Sequence, residues 1–147
     1  MNWIVKKFDE LTTNELYAAL HLRCEVFVVE QQCAYQDMDY SDQQALHLMG
    51  KDDNNQLVAY TRIFGPGIKY KESSIGRVIT SPKARGKGAG RELMEKSIAV
   101  IEEHFGKVPI KISAQQYLQR FYTSLGFEQT SDTYLEDNIP HIEMLKQ

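Results

Sequence analysis

Short apolar runs, each ended by turn-forming residues, divide the chain into strand-sized pieces. The run WIVKKF comes first, and ALHLMGK and QLVAYTRIF lie on either side of the turn cluster DDNN, which is typical of a hairpin. A further run, SSIGRVITS, stops at Pro82, a residue that cannot donate to a strand ladder. The predicted strands cover residues 3–8, 45–51, 56–64, 73–81 and 108–113, with two more in the tail at 132–137 and 141–145.

Apolar residues at helical spacing predict three helices. The first begins after Thr12, because Glu15 three residues later completes a capping box. The second follows a glycine-rich turn, and the third, YLQRFYTSLGF, ends at Gly126, a residue suited to a helix C-cap. The apolar stripes are Leu16, Ala19, Leu20 and Phe27 in the first helix, with Arg23 as their polar break, and Leu93, Met94, Ile98, Ile101 and Phe105 in the second.

The order of these elements, β-α-β-β-β-α-β-α-β-β, predicts an α/β fold in which helices cover both faces of a mixed sheet. The polar segment 30–44 is expected to be a loop with one short turn. No internal repeat, low-complexity tract or Pro/Ser-rich linker interrupts the chain, so residues 1–147 are expected to form a single domain.

The charge balance narrows the range of partners. The 147 residues carry a formal net charge of -3, whereas nucleic-acid-binding domains usually have a basic excess. No apolar run approaches the roughly 20 residues of a membrane span, and the start MNWIVKKFDE lacks the apolar region of a signal peptide. Cys24 and Cys33 are interpreted as reduced thiols. We therefore expect a cytoplasmic protein that binds neither membranes, nucleic acid nor metal.

The turn between the fourth predicted strand and the second helix has the composition of an anion-binding site. Residues 83–91 hold four cations and three glycines. Unpaired N–H groups at a helix start attract anions, and glycines let the backbone approach a ligand closely. A diphosphate fits such a turn, and the candidate residues are Arg85, Gly86, Lys87, Gly88, Ala89, Gly90 and Arg91, with Lys83 adding a further charge.

Three phosphate-binding motifs compete for this turn. A P-loop requires G-x-x-x-x-G-K-[ST], and GKGAGRE has neither that spacing nor the hydroxyl residue. A dinucleotide fingerprint requires a third glycine where the chain has Arg91, and it follows the first strand of its unit. The pattern R-x-x-G-x-G, from Arg85 to Gly90, fits without a departure.

With this turn and its flanking segments, the chain resembles the GNAT superfamily of acetyl-CoA-dependent N-acyltransferases. The resemblance is strongest over IGRVITSPKARGKGAGRELMEKSI and QQYLQRFYTSLGF, while LRCEVFVVEQQCAYQDMD and NIPHIEM are similar to its ElaA-type subgroup. It implies a mostly antiparallel, twisted mixed sheet, with the pyrophosphate of CoA on the backbone amides of the R-x-x-G-x-G turn. The family commonly has Asn seven residues before a Tyr; this chain has Gln115 before Tyr122, and Gln also offers an amide.

The implied reaction is acetyl transfer from acetyl-CoA to a primary amine of a small molecule or peptide. The pantetheine arm carries amides that can pair with a strand edge, so backbone contacts are assigned to Val78, Ile79 and Thr80, directly before the turn. Tyr122 is the candidate proton donor to the leaving thiolate, as the matching Tyr commonly is in the family; the alternative is a Tyr that only packs against the core.

The sequence defines the site of the amine acceptor less clearly than the site of the cofactor. The candidate bases are Glu30, Asp37, Asp39, Glu72, His47 and His141. Glu30 and the acidic loop 37–42 lie in the segment that borders the acceptor site in the resembled family, and their charge could attract a cationic amine; solvated surface charges and a structural His47 are the alternatives. Arg77 could hold an acidic group of the substrate, or, like the other arginines in apolar runs, form a structural ion pair with Asp39 or Glu30.

Two other functions remain open from the sequence. One is a non-catalytic acyl-CoA sensor that keeps the cofactor site, against which Tyr122 argues because a sensor needs no proton donor. The other is nucleic-acid binding by residues 83–91, against which the acidic total argues. An edge strand near the C-terminus could pair with a second copy to form a homodimer.

Overall fold

One twisted sheet organises the chain. The computed structural model describes all residues, 1–147, and its sheet has the strand order β1-β2-β3-β4-β5-β8-β6, with β7 pairing with β8. Every pairing is antiparallel except β4 with β5. The strands are β1 Asn2–Lys7, β2 Leu46–Lys51, β3 Leu57–Phe64, β4 Ser73–Thr80, β5 Ile110–Gln115, β6 Glu128–Gln129, β7 Tyr134–Glu136 and β8 Ile139–Lys146.

Three helices cover the sheet, and the alternation of side chains along the strands decides which residues meet them. The helices are α1 Thr13–Arg23, α2 Ala89–Phe105 and α3 Gln119–Thr123. Met49 and Tyr60 pack with α1 on one face, whereas their neighbours Leu48 and Ala59 pack with α2 and α3 on the other. The predicted mixed, mostly antiparallel α/β sheet with helices on both faces is therefore confirmed.

The elements differ from prediction at three places. The capping box of Thr12 and Glu15 is present, but α1 continues without a break into a π-helical segment, Cys24–Glu30. The third helix is shorter than predicted, because the first residues of its run form a separate 3-10 turn, Gln116–Leu118. The tail holds three strands instead of two, since β6 adds a two-residue pairing to β8. None of the helices combines the length and the apolar composition that a bilayer crossing needs.

The parallel pair β4–β5 separates soon after it begins. Only two registered pairs join these strands, Ser73 with Ile110 and Ser74 with Lys111. Further along, β4 pairs only with β3, and a β-bulge shifts the register of that pairing. Arg77 lies in the bulge with a φ of 50°, a left-handed conformation that costs a non-glycine residue free energy. A wedge-shaped opening therefore forms between β4 and β5.

Buried ion pairs connect α1, β3 and the loop that precedes β2. Arg23 is only 1% exposed; its Nε donates to Asp37 at 2.9 Å and its Nη1 donates to Asp42 at 2.9 Å. Arg62 on β3 donates to the same Asp42 oxygen at 2.9 Å. Burial raises the pKa of Asp42, but the nearby charges of Arg23 and Arg62 outweigh it and hold that pKa below its usual value.

The bulge residue Arg77 joins the same set of charges. Its Nε donates to Asp37 at 2.8 Å, and Tyr35 donates its hydroxyl to that oxygen at 2.8 Å. Asp39 accepts two bonds from Arg62, at 2.8 and 2.7 Å, and these bonds are the main reason its pKa is strongly lowered. We call this set the Asp–Arg network; its members are Arg23, Arg62, Arg77, Asp37, Asp39 and Asp42.

Replacing Arg23 with Met should lower the free energy of unfolding by about 3–5 kcal/mol, because removing one partner of a buried ion pair leaves uncompensated charge. Urea unfolding at pH 7 measures the change. The control is Glu95→Ala, which removes only an exposed i,i+4 pair with Arg91 at 3.5 Å and should cost about 0.5 kcal/mol or less. A loss below about 1 kcal/mol for Arg23→Met would show that the network contributes little to stability.

Candidate active site

A cavity of about 480 Å³ occupies the opening between β4 and β5. Its walls come from both strands, from the π-helical end of the first helix, from the glycine turn and α3, and from the β7–β8 hairpin. The side chains of Ile112 and Ala114 on β5 point into the α2 core, so Ser113 and Gln115 face the other side of the sheet. The cavity therefore passes through the sheet and has two chemically different sides.

The glycine turn holds a row of free backbone donors, and its residues Arg85 and Gly90 line the cavity. Gly86 and Gly88 have φ values of 83° and 74°, a conformation that suits glycine. None of the N–H groups of residues 86–91 donates a hydrogen bond within the chain, and the first that does is Glu92, to Gly88 O at 3.1 Å. Because α2 is 17 residues long, its dipole adds partial positive charge at the same place.

The side chains of the turn differ in their contacts. Lys87 and Arg91 are exposed, and Arg91 donates to Ser124 Oγ at 2.9 Å. Ala89 is buried, and Gly90 lies where a Cβ would approach the Phe121 ring to 3.9 Å. The turn thus combines a packed inner side with exposed positive charge on its outer side.

Arg85 forms a two-pronged ion pair with Glu30. Its Nη atoms donate to the two Glu30 carboxylate oxygens at 2.6 and 2.7 Å, and its Nε donates to Thr80 O at 3.2 Å. The hydrogen bonds from Arg85 lower the pKa of Glu30. The sequence suggested Glu30 as a residue of the amine-acceptor site. In the structure Glu30 instead binds Arg85 and ties the end of the first helix to the glycine turn.

The end of β4 runs along the cavity from the bulge to the turn. Val78, Ile79 and Thr80 all line the cavity, and β5 forms no registered pair with them. Arg77 and Val78 also lack a partner in β3 because of the bulge. This edge can therefore accept hydrogen bonds from, and donate them to, an extended ligand.

Tyr122 closes the α3 side of the cavity. It is 5% exposed and packs edge-on against Phe121 and Phe127, with ring centroids 5.1 and 6.0 Å away. Its hydroxyl has no hydrogen-bond partner in the chain, and the residue lines the cavity. Burial raises the pKa of Tyr122, so at neutral pH the hydroxyl is a protonated donor.

Gln115 also lines the cavity, at the end of β5. Its side-chain amide donates to Gln31 Oε1 at 3.4 Å. The amide therefore faces the first helix and lies on the opposite side of the sheet from the core of α2.

Four of the acceptor-side candidates lie outside the cavity: Asp37, Asp39, Glu72 and His47. His47 is 1% exposed, and its ring nitrogens contact the Tyr60 hydroxyl at 2.6 Å and Asp42 O at 2.9 Å; burial lowers its pKa. Asp39 belongs to the Asp–Arg network. Arginines pair with the carboxylates of loop 37–42, and this pairing leaves little free negative charge for the predicted attraction of a cationic amine. Arg77 does line the cavity, with Asp37 and Asp39 as its ion-pair partners.

The β7–β8 hairpin supplies cavity residues that the sequence did not single out. Asp137 and Asn138 both have positive φ, 50° and 63°, as a two-residue type I′ turn requires. This turn aligns Tyr134 with His141 and Glu136 with Ile139. The dipeptide Asp-Asn between two strand-like runs was the available signal. His141 was already a candidate base; the cavity residues that the sequence did not single out here are Glu136, Asp137 and Ile139 of the hairpin and Ser113 of β5.

The two cysteines are free thiols. Cys24 is exposed, whereas Cys33 lines the cavity and donates its thiol to Asp137 O at 3.4 Å. The chain contains no group of three His, Cys, Asp or Glu side chains that could hold a metal ion.

Comparison with known proteins agrees with this geometry. The acetyltransferase (GNAT) domain family matches residues 10–147. Protein ElaA of Escherichia coli K12 is 42% identical over 149 residues, which span 100% of this chain and 97% of ElaA. The crystal structure of E. coli ElaA superposes with a TM-score of 0.91, each chain being covered completely.

Two further solved structures share the fold. An acyl-CoA N-acyltransferase from Pseudomonas aeruginosa is 43% identical, with a TM-score of 0.94 and complete coverage of both chains. An aminoglycoside 6'-N-acetyltransferase in complex with coenzyme A is 15% identical, with a TM-score of 0.70 over 97% of this chain and 96% of that one. The chain belongs to the GNAT acetyltransferase family, and within it is closely related to the ElaA proteins.

Proposed function

We propose that the protein is an N-acetyltransferase that moves the acetyl group of acetyl-CoA to a primary amine by direct attack. One observation carries the proposal: the turn that holds the free N–H groups of residues 86–91 borders, through Arg85 and Gly90, a cavity that is also lined by the end of β4 and by Tyr122. Acetyl-CoA has a diphosphate, an amide-bearing arm and a leaving sulfur in this order, and each part needs a contact of the corresponding kind. Membership of the GNAT family supports the same assignment.

The glycine turn is the proposed diphosphate site. The N–H groups of Gly86, Gly88 and Gly90 can donate to phosphate oxygens without interference from a Cβ. Lys87 and Arg91 would add charge from the exposed side. The related fold of the aminoglycoside 6'-N-acetyltransferase, which is complexed with coenzyme A, supports acyl-CoA as the donor.

The β4 edge is the proposed site for the pantetheine arm. On the β5 side, no strand pairs with Val78, Ile79 or Thr80, and a ligand there would share Thr80 O with Arg85 Nε. A backbone N–H at the bulge would also stabilise the negative oxygen that develops during acyl transfer, and such preorganised donors are among the strongest catalytic contributions.

Tyr122 is the proposed donor to the departing sulfur. A thiol has an ordinary pKa of about 8.5 and a phenol one of about 10, and burial raises the pKa of Tyr122 further. Full proton transfer from the phenol to the thiolate would therefore be uphill. Tyr122 is better suited to donate a hydrogen bond while the sulfur leaves, and the attacking nitrogen supplies the proton that the thiolate finally takes.

The acceptor is proposed to be a primary amine of a small molecule or peptide. The two free cysteines fit a reducing compartment such as the cytoplasm.

Purified protein incubated with acetyl-CoA and a panel of primary amines tests the proposed function. We expect amine-dependent release of free CoA thiol together with an acetylated product in mass spectrometry. The panel should contain polyamines, amino acids, aminoglycosides and lysine-containing peptides. Binding of acetyl-CoA without any amine-dependent thiol release would instead indicate the acyl-CoA sensor.

Gly88→Glu should weaken CoA binding at least about tenfold. A carboxylate at this position adds repulsion beside the phosphates, which is worth on the order of 1–4 kcal/mol at short range, and the φ of 74° strains any side chain. Calorimetry with CoA measures the change. Gly67→Glu is the matched control, since Gly67 also has a positive φ of 86° with open space around it but lies outside the glycine turn. Equal affinity of the two variants for CoA would show that the glycine turn does not bind the diphosphate.

Tyr122→Phe should lower kcat about ten- to hundredfold, because a hydrogen bond to a charged group contributes about 1.5–3 kcal/mol. The Kd for CoA should stay within about twofold, since only the hydroxyl is lost. Tyr17→Phe, on an exposed tyrosine of α1, serves as the control. A Tyr122→Phe enzyme with unchanged kcat would falsify the donor role.

A further inference from the structure

His141 lies on the side of the cavity opposite Tyr122. Its neighbours Ile142 and Met144 on β8 point into the α2 core that also contains Tyr122, so His141 points to the other face of the sheet. It is directly aligned with Gln115 on β5 and with Tyr134 on β7. Its side chain is 8% exposed, and the residue lines the cavity.

The contacts of the imidazole fix the positions of its protons. Its Nδ1 is 2.7 Å from Ile139 O, and because a carbonyl only accepts, Nδ1 carries a proton in the neutral ring. The lone pair of the neutral ring is therefore on Nε2. Glu136 places a carboxylate oxygen 3.4 Å from Nε2, where it stabilises the ring once Nε2 gains a proton.

Glu136 is itself held in place from the β5 side. Its other carboxylate oxygen accepts from Ser113 Oγ at 3.3 Å, and Ser113 Oγ is also hydrogen-bonded to the Tyr134 hydroxyl. The Tyr134 ring stacks on His141, with centroids 6.2 Å apart and an interplanar angle of 25°. A carboxylate, an oriented imidazole and a supporting ring together form the arrangement of an oriented general base.

We propose that His141 is the general base that deprotonates the amine acceptor and that Glu136 is a positioning residue that stabilises the protonated imidazole. The assignment rests on the proposed acetyltransferase function and adds the proton acceptor for its first step. A primary amine with a pKa near 10.4 is neutral in only on the order of one molecule in a thousand at pH 7, so a group in the cavity that takes its proton lets the abundant ammonium form react once bound.

The proton balance of the step is complete. Nε2 of His141 accepts one proton from the ammonium group, directly or through one water, and the freed nitrogen lone pair forms the new C–N bond. The C–S bond breaks, and its electron pair leaves with the sulfur. The second proton lost by the nitrogen goes to that thiolate. The products are the amide, the free thiol and one proton, which His141 passes to solvent.

The other candidate bases are already engaged elsewhere. Glu30 is bound by Arg85, Asp37 and Asp39 lie in the Asp–Arg network, and His47 lies outside the cavity. Glu72 is 3.9 Å from Lys111 and does not line the cavity. Of the bases considered, only His141 combines an available lone pair with a place in the cavity wall.

His141→Gln should lower kcat/KM for the amine about a hundredfold or more at pH 7, in keeping with the contribution of a general base. The Kd for CoA, measured by calorimetry, should change less than about twofold. His104→Gln is the matched control, because His104 also binds a backbone carbonyl, Val100 O at 2.9 Å, but lies on α2 outside the cavity. The loss should shrink for an acceptor amine whose pKa lies below the assay pH.

Glu136→Gln tests the positioning role on an exposed side chain, 50% accessible, whose replacement leaves folding intact. Neutralising the carboxylate makes the protonated imidazole less stable. The kcat for the amine should therefore fall about tenfold while the Kd for CoA stays within about twofold, and Glu136→Asp, which keeps the negative charge, should restore part of the loss. The other titratable groups that line this cavity are Glu30, Cys33, Tyr35, Arg77, Arg85, Tyr117, Tyr122 and Asp137, and Tyr134 stacks on the ring.

The outcomes separate the two proposals. An Nε2–H tautomer in the NMR spectrum of the wild-type protein, or a His141→Gln enzyme as active as the His104→Gln enzyme, would overturn the base assignment and leave the acetyltransferase standing. A wild-type protein that acetylates no amine would overturn the acetyltransferase proposal and the base assignment together. A neutral Nδ1–H ring with the expected rate losses would establish the base.

Discussion

The separation of β4 from β5 is the constraint on which the site depends. Two neighbouring parallel strands normally continue their ladder, because unpaired backbone groups inside a protein are costly. Here the ladder stops after Ser74 and Lys111, and the edges beyond it face a cavity of about 480 Å³. The groups that the split leaves unpaired are therefore available to a ligand, and the ligand site is a consequence of the sheet geometry.

The Asp–Arg network holds one side of this opening. Arg77 has a left-handed φ of 50° at the bulge, and a non-glycine residue keeps such a conformation only where its surroundings impose it. Asp37 provides this restraint, because it binds Arg77 and the buried Arg23 at the same time. The carboxylates of this loop thus contribute to the architecture of the site through their ion pairs with arginines.

Local patterns in the sequence predicted the local structures well. The capping box of Thr12 and the glycine turn that opens α2 each depend on a few adjacent residues, and both are present. Contacts between distant residues were not predictable in this way. The pairing of Glu30 with Arg85 joins positions 55 residues apart, and no spacing rule links them. The π-helical extension of α1 and the three-strand tail likewise depend on packing that becomes visible only in three dimensions.

The hairpin register explains why the two sides of the cavity differ chemically. Side chains on a strand alternate between faces, so the Asp-Asn turn that aligns Glu136 with Ile139 also decides the face of every residue in β8. In this register Ile142 enters the α2 core and His141 faces the cavity. A slip of one residue would bury the imidazole in the apolar core and expose the isoleucine. The position of the turn therefore determines that Tyr122 and His141 line opposite sides of the same opening, with a donor on one and a proton acceptor on the other.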